Sequence, residues 1–137
     1  MLFFHAGHYT IGKGWIKKTL GSRGEDIACD FLKKKKYRIV EKNFRTRNGE
    51  IDILAVDTME KPHALVCVEV KIRKGNNFGT ARESITFYKL KALERTLIYY
   101  HSIHPQLPSY FRIDLVAIEM DEFGEISSID LVKNISQ

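Results

Sequence analysis

Val66-Cys67-Val68-Glu69-Val70-Lys71-Ile72-Arg73 is the stretch on which the reading of this chain turns. Branched aliphatic residues at every second position, Val66, Val68, Val70 and Ile72, predict a strand with one wholly apolar face. Cys67, Glu69, Lys71 and Arg73 fall on its other face, so two opposite charges sit where a buried strand favours hydrocarbon. The strand reads over 64–72.

Working upstream, Glu50 to Val56 predicts a second strand, joined to the first by a polar turn from Asp57 to His63 that contains Pro62. Tyr37 to Phe44 predicts another. Between them lies the basic turn Arg45-Thr46-Arg47-Asn48-Gly49, whose Asn-Gly pair is a hairpin signal. Asp52 and Glu69 lie symmetrically about position 60.5, within the 57–63 turn. Antiparallel pairing around that turn puts them side by side, with Cβ atoms roughly 5 Å apart.

Two helices complete the pattern. One is predicted over about 22–36, where Ser22 and Glu25 have capping-box spacing and Lys33 to Lys36 suit the C-terminal dipole. Ile27, Ala28, Phe31 and Leu32 form its apolar face. Gly24 projects onto that face and allows a close approach to a neighbour, while Glu25 lies at its margin. A longer helix is predicted over about 80–103, after a loop from Lys74 to Gly79, with a seam of Ala81, Ile85, Tyr88, Ala92, Leu93, Thr96 and Tyr99/Tyr100. Pro105 and Pro108 end it. Phe111 to Glu119 and Glu125 to Val132 predict two last strands. The order α-β-β-β-α-β-β predicts an α/β fold, a central mixed β-sheet flanked by α-helices. Residues 1–20 read as an N-terminal arm, either docked through Phe3, Phe4, Trp15 and Ile16 or free, and residues 21–137 as one domain.

Composition sets bounds on function. The chain has 137 residues, 44% hydrophobic and 28% charged, which excludes a disordered or collagen-like polymer. No run approaches the ~18 apolar residues of a spanning helix. Net charge is +5, but residues 1–47 hold 12 basic and 4 acidic side chains, against 10 and 13 in residues 48–137. A basic half of this kind points to a polyanionic partner. Cys29 and Cys67 and the five histidines show no metal-ligand spacing and read as reduced thiols and ordinary side chains. The start carries no secretory pattern, so the expected compartment is the cytoplasm.

Two readings of the charged strand compete. In the plain one, Glu69 and Lys71 lie on a solvated face and Lys71 pairs with Asp52, which is worth about 0–1 kcal/mol. Against it stand the aliphatic character of the strand, the second carboxylate from its neighbour, and the arginines preceding both. Two carboxylates at about 5 Å repel and raise one pKa unless a cation lies between them. Mg²⁺ takes one or two carboxylates plus waters and phosphate oxygens. A lysine beside them can hold a water and stabilise charge developing on phosphorus oxygens. These are the parts of metal-assisted phosphodiester hydrolysis.

Gly24-Glu25-Asp26-Ile27-Ala28, Asn48-Gly49-Glu50-Ile51-Asp52-Ile53 and Val68-Glu69-Val70-Lys71-Ile72-Arg73 resemble, in order and spacing, a family of small bacterial proteins, the YraN-like family. Arg112-Ile113-Asp114-Leu115-Val116 resembles its last strand, and the likeness covers about residues 21–120. The resemblance implies a restriction-endonuclease-like fold and a PD-(D/E)xK nuclease signature, with archaeal Holliday junction resolvases as the nearest functional analogy. It implies Asp52 and Glu69 as Mg²⁺ (or Mn²⁺) ligands, Lys71 as the catalytic lysine, and Glu25 as a first-helix glutamate assisting the metal; capping the helix is the other reading of Glu25. Ile51 departs from the signature, which has proline there. The implied activity is hydrolysis of DNA, on branched or structured substrates, with a homodimer suited to a two-fold junction. The alternatives are a module that binds nucleic acid without cutting it, and an interaction protein with a coincidental acidic patch. Arg45, Arg47, Arg73 and Lys74 are the expected phosphate-positioning residues. Lys89 and Lys91 read as a solvated helix face rather than phosphate contacts, and Arg112 with Asp114 as an internal pair.

Overall fold

Residues 20–75 and 80–136 are described by the computed structural model of the chain. Most of the expected arm, residues 1–19, and positions 76–79 of the glycine-rich loop lie outside them. β1 (Tyr37–Thr46), β2 (Gly49–Asp57) and β3 (Ala64–Lys74) run as an antiparallel meander. β4 (Tyr110–Met120) joins β3 in parallel, and β5 (Ile126–Val132) returns antiparallel onto β4, so the sheet order is the chain order. A parallel neighbour needs a crossover, and α2 (Phe87–Ile103) supplies it.

Each face of the sheet buries its own core. Val66, Val68, Ile53 and Val116 gather with Ile27 and Leu32 of α1 (Leu20–Lys34). Leu54, Leu65, Cys67 and Leu115 gather with Leu93 and Leu97 of α2 on the opposite side. Alternation along β3 therefore divides as its sequence predicts. Cys29 and Cys67 are buried thiols in different cores, both pushed above their ordinary pKa by burial. The result is an α/β fold of a five-stranded mixed sheet with a helix on each face, compatible with the restriction-endonuclease-like fold. Among the described residues no helix is long and apolar enough to cross a membrane.

Three local expectations are corrected. α1 already includes Leu20, so Ser22 lies inside the helix rather than capping it; S-x-x-E spacing is equally the i, i+3 spacing of a helix face. α2 starts only at Phe87, with Thr86 as its N-cap accepting the Lys89 N–H at 3.1 Å. Ala81 and Ile85 are buried from a stretch of turns whose four-residue spacing imitates a helix, and Tyr88 is 83% exposed rather than part of the seam. The buried seam is Leu93, Thr96, Leu97 and Tyr100. In the hairpin, Thr46 pairs with Gly49, so the turn is Arg47-Asn48. Gly49 serves close packing instead, because a Cβ there would come within 2.7 Å of Thr96 Oγ1.

Candidate active site

The β2–β3 ladder runs from Asp57↔Ala64 to Ile53↔Val68, the register expected from the turn, and stops one residue short of Asp52 and Glu69. On either side the sheet continues, β1 with β2 to Thr46↔Gly49 and β3 with β4 to Lys74↔Met120. The sheet thus forks between β2 and β3. At the fork the backbone N–H of Val70 donates to Asp52 Oδ2 at 2.9 Å, a side chain taking the place of a main-chain partner.

Irregular backbone on β1 and β2 shapes this fork. A bulge lies between Ile39 and Glu41, and Asn43, between the pairs Lys42↔Ile53 and Phe44↔Ile51, has φ +56°. Both strands change face there. Ile51 packs on the α2 side although Ile53 packs on the α1 side, and Lys42 reaches Asp26 of α1 at 3.1 Å while Phe44 turns to α2.

The fork opens as a cleft of about 460 Å³ lined by Glu25, Glu50, Asp52, Glu69, Lys71 and Lys89. All four residues expected to be catalytic, Glu25, Asp52, Glu69 and Lys71, line it. Gly24 explains how Glu25 arrives: a Cβ there would overlap Ile72 Cδ1 and stand 2.9 Å from Ile72 Cγ1, so only glycine lets α1 lie this close to β3. Burial raises the Glu25 pKa, a hydrogen bond with Asn43 works against this, and the charges of Asp52, Asp26 and Glu50 add to the rise.

Glu69 is the most constrained member. The residue is 6% exposed, and its Oε2 is buried with no hydrogen-bond partner. Lys89 Nζ stands 3.5 Å from that oxygen, an ion-pair contact longer than a good charge-assisted hydrogen bond. Burial, followed by the hydrogen-bonding neighbour and negative charge of Asp52, pushes the Glu69 carboxyl up to about 8 against the pull of Lys89 and Lys71.

Sequence reasoning passed over Glu50 and gave Lys89 a solvated role. A signal for Lys89 was present. Thr86 caps the helix, so Lys89 sits in the first turn, where no acid offsets it and its charge opposes the helix dipole. The expected phosphate contacts divide. Arg45, near the end of β1, and Arg47, in the hairpin turn, line a separate groove with Arg95 and Tyr99. Arg73 Nη1 donates to the Thr80 carbonyl at 2.8 Å, and Lys74 is the last residue of β3. Lys91 pairs with Glu94 at 3.3 Å on exposed helix surface.

Arg112 and Asp114 are an internal pair, in a larger buried network at the other end of β2. Arg112 Nε and Nη2 donate to the two Asp114 oxygens at 2.9 Å each, and Nη2 to Asp57 Oδ2 at 2.8 Å. The Tyr37 hydroxyl donates to Asp114 Oδ2 at 2.7 Å.

Among the described residues no three histidine, cysteine or carboxylate groups are grouped to hold a metal ion on their own. Mg²⁺ does not require such a cage, since it keeps several waters and is commonly held by one or two carboxylates. The buried Oε2 of Glu69, without a hydrogen bond and beside Asp52, fits that demand: hard oxygen donors from two adjacent carboxyl groups, and an open side.

Sequence relatives of this chain are numerous. The sequence pattern of the "Uncharacterised protein family UPF0102" matches residues 24–118, which span Glu25, Asp52, Glu69, Lys71 and Lys89. A UPF0102 protein of Caldicellulosiruptor saccharolyticus is 37% identical over 118 residues, covering 86% of this chain and 97% of that protein. One from Clostridium botulinum strain Loch Maree is 37% identical over 126 residues, 90% of this chain and 98% of its own. One from Caldicellulosiruptor bescii is 38% identical over 118 residues, 85% and 96% respectively. With its sequence pattern matched across the fork and relatives aligned over nearly their whole length, the chain belongs to the UPF0102, or YraN-like, family.

Proposed function

We propose that the forked cleft is the active site of a metal-dependent nuclease that hydrolyses DNA phosphodiester bonds, on branched or structured substrates, in the cytoplasm. The observation that carries this reading is the buried Glu69 Oε2, which no hydrogen bond satisfies, next to Asp52, with Lys71 lining the same cleft. A polar atom left so costs about 1–3 kcal/mol, a penalty that a bound cation removes.

Asp52 and Glu69 would hold Mg²⁺ or Mn²⁺, with Glu25 assisting. When bound, the ion supplies charge neutralisation, a more acidic water and polarisation of the phosphoryl oxygens. The chain's own groups do the rest. The Val70 N–H fixes Asp52 through Oδ2 at the mouth of the fork. Lys71 orients a water for attack on phosphorus and stabilises the negative charge that builds on the non-bridging oxygens as the P–O ester bond breaks. Arg45, Arg47, Arg73 and Lys74 hold flanking phosphates without choosing sequence. Two copies related by a two-fold axis would present two such clefts to a four-way junction.

The test incubates the protein with Mg²⁺ or Mn²⁺ and linear, nicked, flapped and four-way DNA. Cleavage that needs the metal and disappears in Asp52→Asn, Glu69→Gln and Lys71→Met is the expected result. Cleavage surviving those substitutions removes the site. No cleavage on any substrate, with salt-dependent binding retained, converts the reading to a non-cutting binding module.

A further inference from the structure

The hairpin has two walls, and only one of them faces the carboxylates. On the other, between β1–β2 and α2, lies a groove of about 410 Å³ lined by Phe44, Arg45, Arg47, Arg95, Tyr99 and Ile103, among others. Pockets of roughly this size and larger, about 300–1,000 Å³, hold small organic ligands. Groove and cleft are neighbours: Arg45 on the groove side and Glu50 on the cleft side are cross-strand partners, 3.5 Å apart.

The chemistry of the groove differs from that of the cleft. Three guanidinium groups converge on it and no acidic side chain lines it. Arg45 has its exposed pair with Glu50, while Arg47 and Arg95 have no ion-pair partner among the described residues. The aromatic component is preset. Tyr99 lies nearly parallel to Phe44, at 26° with centroids 6.3 Å apart, and Phe44 is pinned edge-on by Tyr100 at 4.7 Å. Tyr99 is backed by this stack and is nonetheless 51% exposed. Arginines around an exposed, propped ring are what a flexible strand with unpaired bases requires: phosphates for the guanidiniums, a base face for the ring. A regular duplex offers no free base face.

We infer that the groove between the β1–β2 hairpin and α2 binds a single-stranded DNA segment, with Tyr99 stacking an unpaired base and Arg47 and Arg95 gripping its phosphates. This rests on the proposed nuclease activity for its place in function, as the site holding the unpaired arm of a substrate whose backbone enters the adjacent cleft. The binding itself does not depend on catalysis.

Binding is therefore measured by fluorescence anisotropy in EDTA, with a short labelled single-stranded DNA and a blunt duplex of the same length. Tyr99→Ala is expected to weaken single-strand binding about tenfold, the effect of losing one stacked base, and to leave duplex binding unchanged. Tyr99→Phe retains binding. Arg95→Gln, a solvent-facing change that leaves the ring stack in place, weakens single-strand binding and reduces its salt slope by about 0.7. Equal losses on both DNAs, or no loss from Tyr99→Ala and Arg95→Gln, overturn the inference. Metal-dependent cleavage with unaltered Tyr99→Ala binding sinks the groove and spares the nuclease. Tyr99-dependent binding with no cleavage of any DNA does the reverse.

Discussion

Lys89 Nζ stands 3.5 Å from Glu69 Oε2, the buried oxygen that no hydrogen bond satisfies. The lysine forms an ion-pair contact with a carboxylate that is expected to bind metal, so lysine and metal compete for one oxygen. Two unit charges about 4 Å apart interact by roughly 4 kcal/mol at an effective dielectric of about 20, and a half-exposed lysine can swing away to reduce this. Lys89→Gln is expected to tighten Mn²⁺ binding about tenfold by calorimetry, and Glu69→Gln to abolish the binding heat. Unchanged affinity in Lys89→Gln would separate the two residues functionally.

Lys71 is expected to act on the rate and not on the metal. It lines the cleft but, as an ammonium, donates only and ligates nothing. Lys71→Met should lower kcat by roughly 10²–10³, the range for losing one donor to developing negative charge, with Mn²⁺ affinity within about twofold of the parent. A matching loss of metal affinity would show that Lys71 holds the cleft in shape instead of acting on the rate.

How the sequence foretold this site, and where it did not, follows from the length scales involved. The β2–β3 register was legible because a short turn and a period-2 strand leave few alignments, and Ile53↔Val68 has the register they predict. Glycine at position 24 was legible as a close approach, and Ile72 is what it approaches. The fork was not. It depends on Asn43 at φ +56° and on both strands changing face around Asp52, which no alternation pattern encodes. Lys89 escaped because Ala81 and Ile85 have helical spacing without a helix, which hid the Thr86 cap and the first turn that carries the lysine.

Gly24 should resist even alanine. In an open helix, alanine would gain about 1 kcal/mol over glycine. Here the added methyl overlaps Ile72 Cδ1, and overpacking of this kind costs about 1–3 kcal/mol. Gly24→Ala is expected to destabilise by about 1 kcal/mol in urea unfolding. In an Ile72→Ala background, where the obstructing atoms are gone, the same substitution should become neutral or stabilising. Equal effects in both backgrounds would show that Ile72 does not set the α1–β3 distance.

The buried Arg112 network ties stability to pH. Burial alone would raise the Asp57 pKa, but the Arg112 hydrogen bond, the Met59 N–H at 3.0 Å, and the charges of Arg112 and Lys133 together hold it below the ordinary 3.8. A carboxylate with a lowered folded pKa contributes stability above its unfolded value. That contribution disappears as pH falls through the folded one. Urea titrations should therefore show stability falling below about pH 4, less steeply in Asp57→Asn. Arg112→Met strands Asp57 and Asp114 as buried carboxylates without their guanidinium, a loss of about 3–5 kcal/mol near neutral pH. Asp57, still buried but without the guanidinium that lowers its pKa, then favours the protonated form in the folded state, so the deficit of Arg112→Met should shrink as pH is lowered from 7 towards 4. A deficit constant with pH would mean that the arginine contributes packing rather than charge.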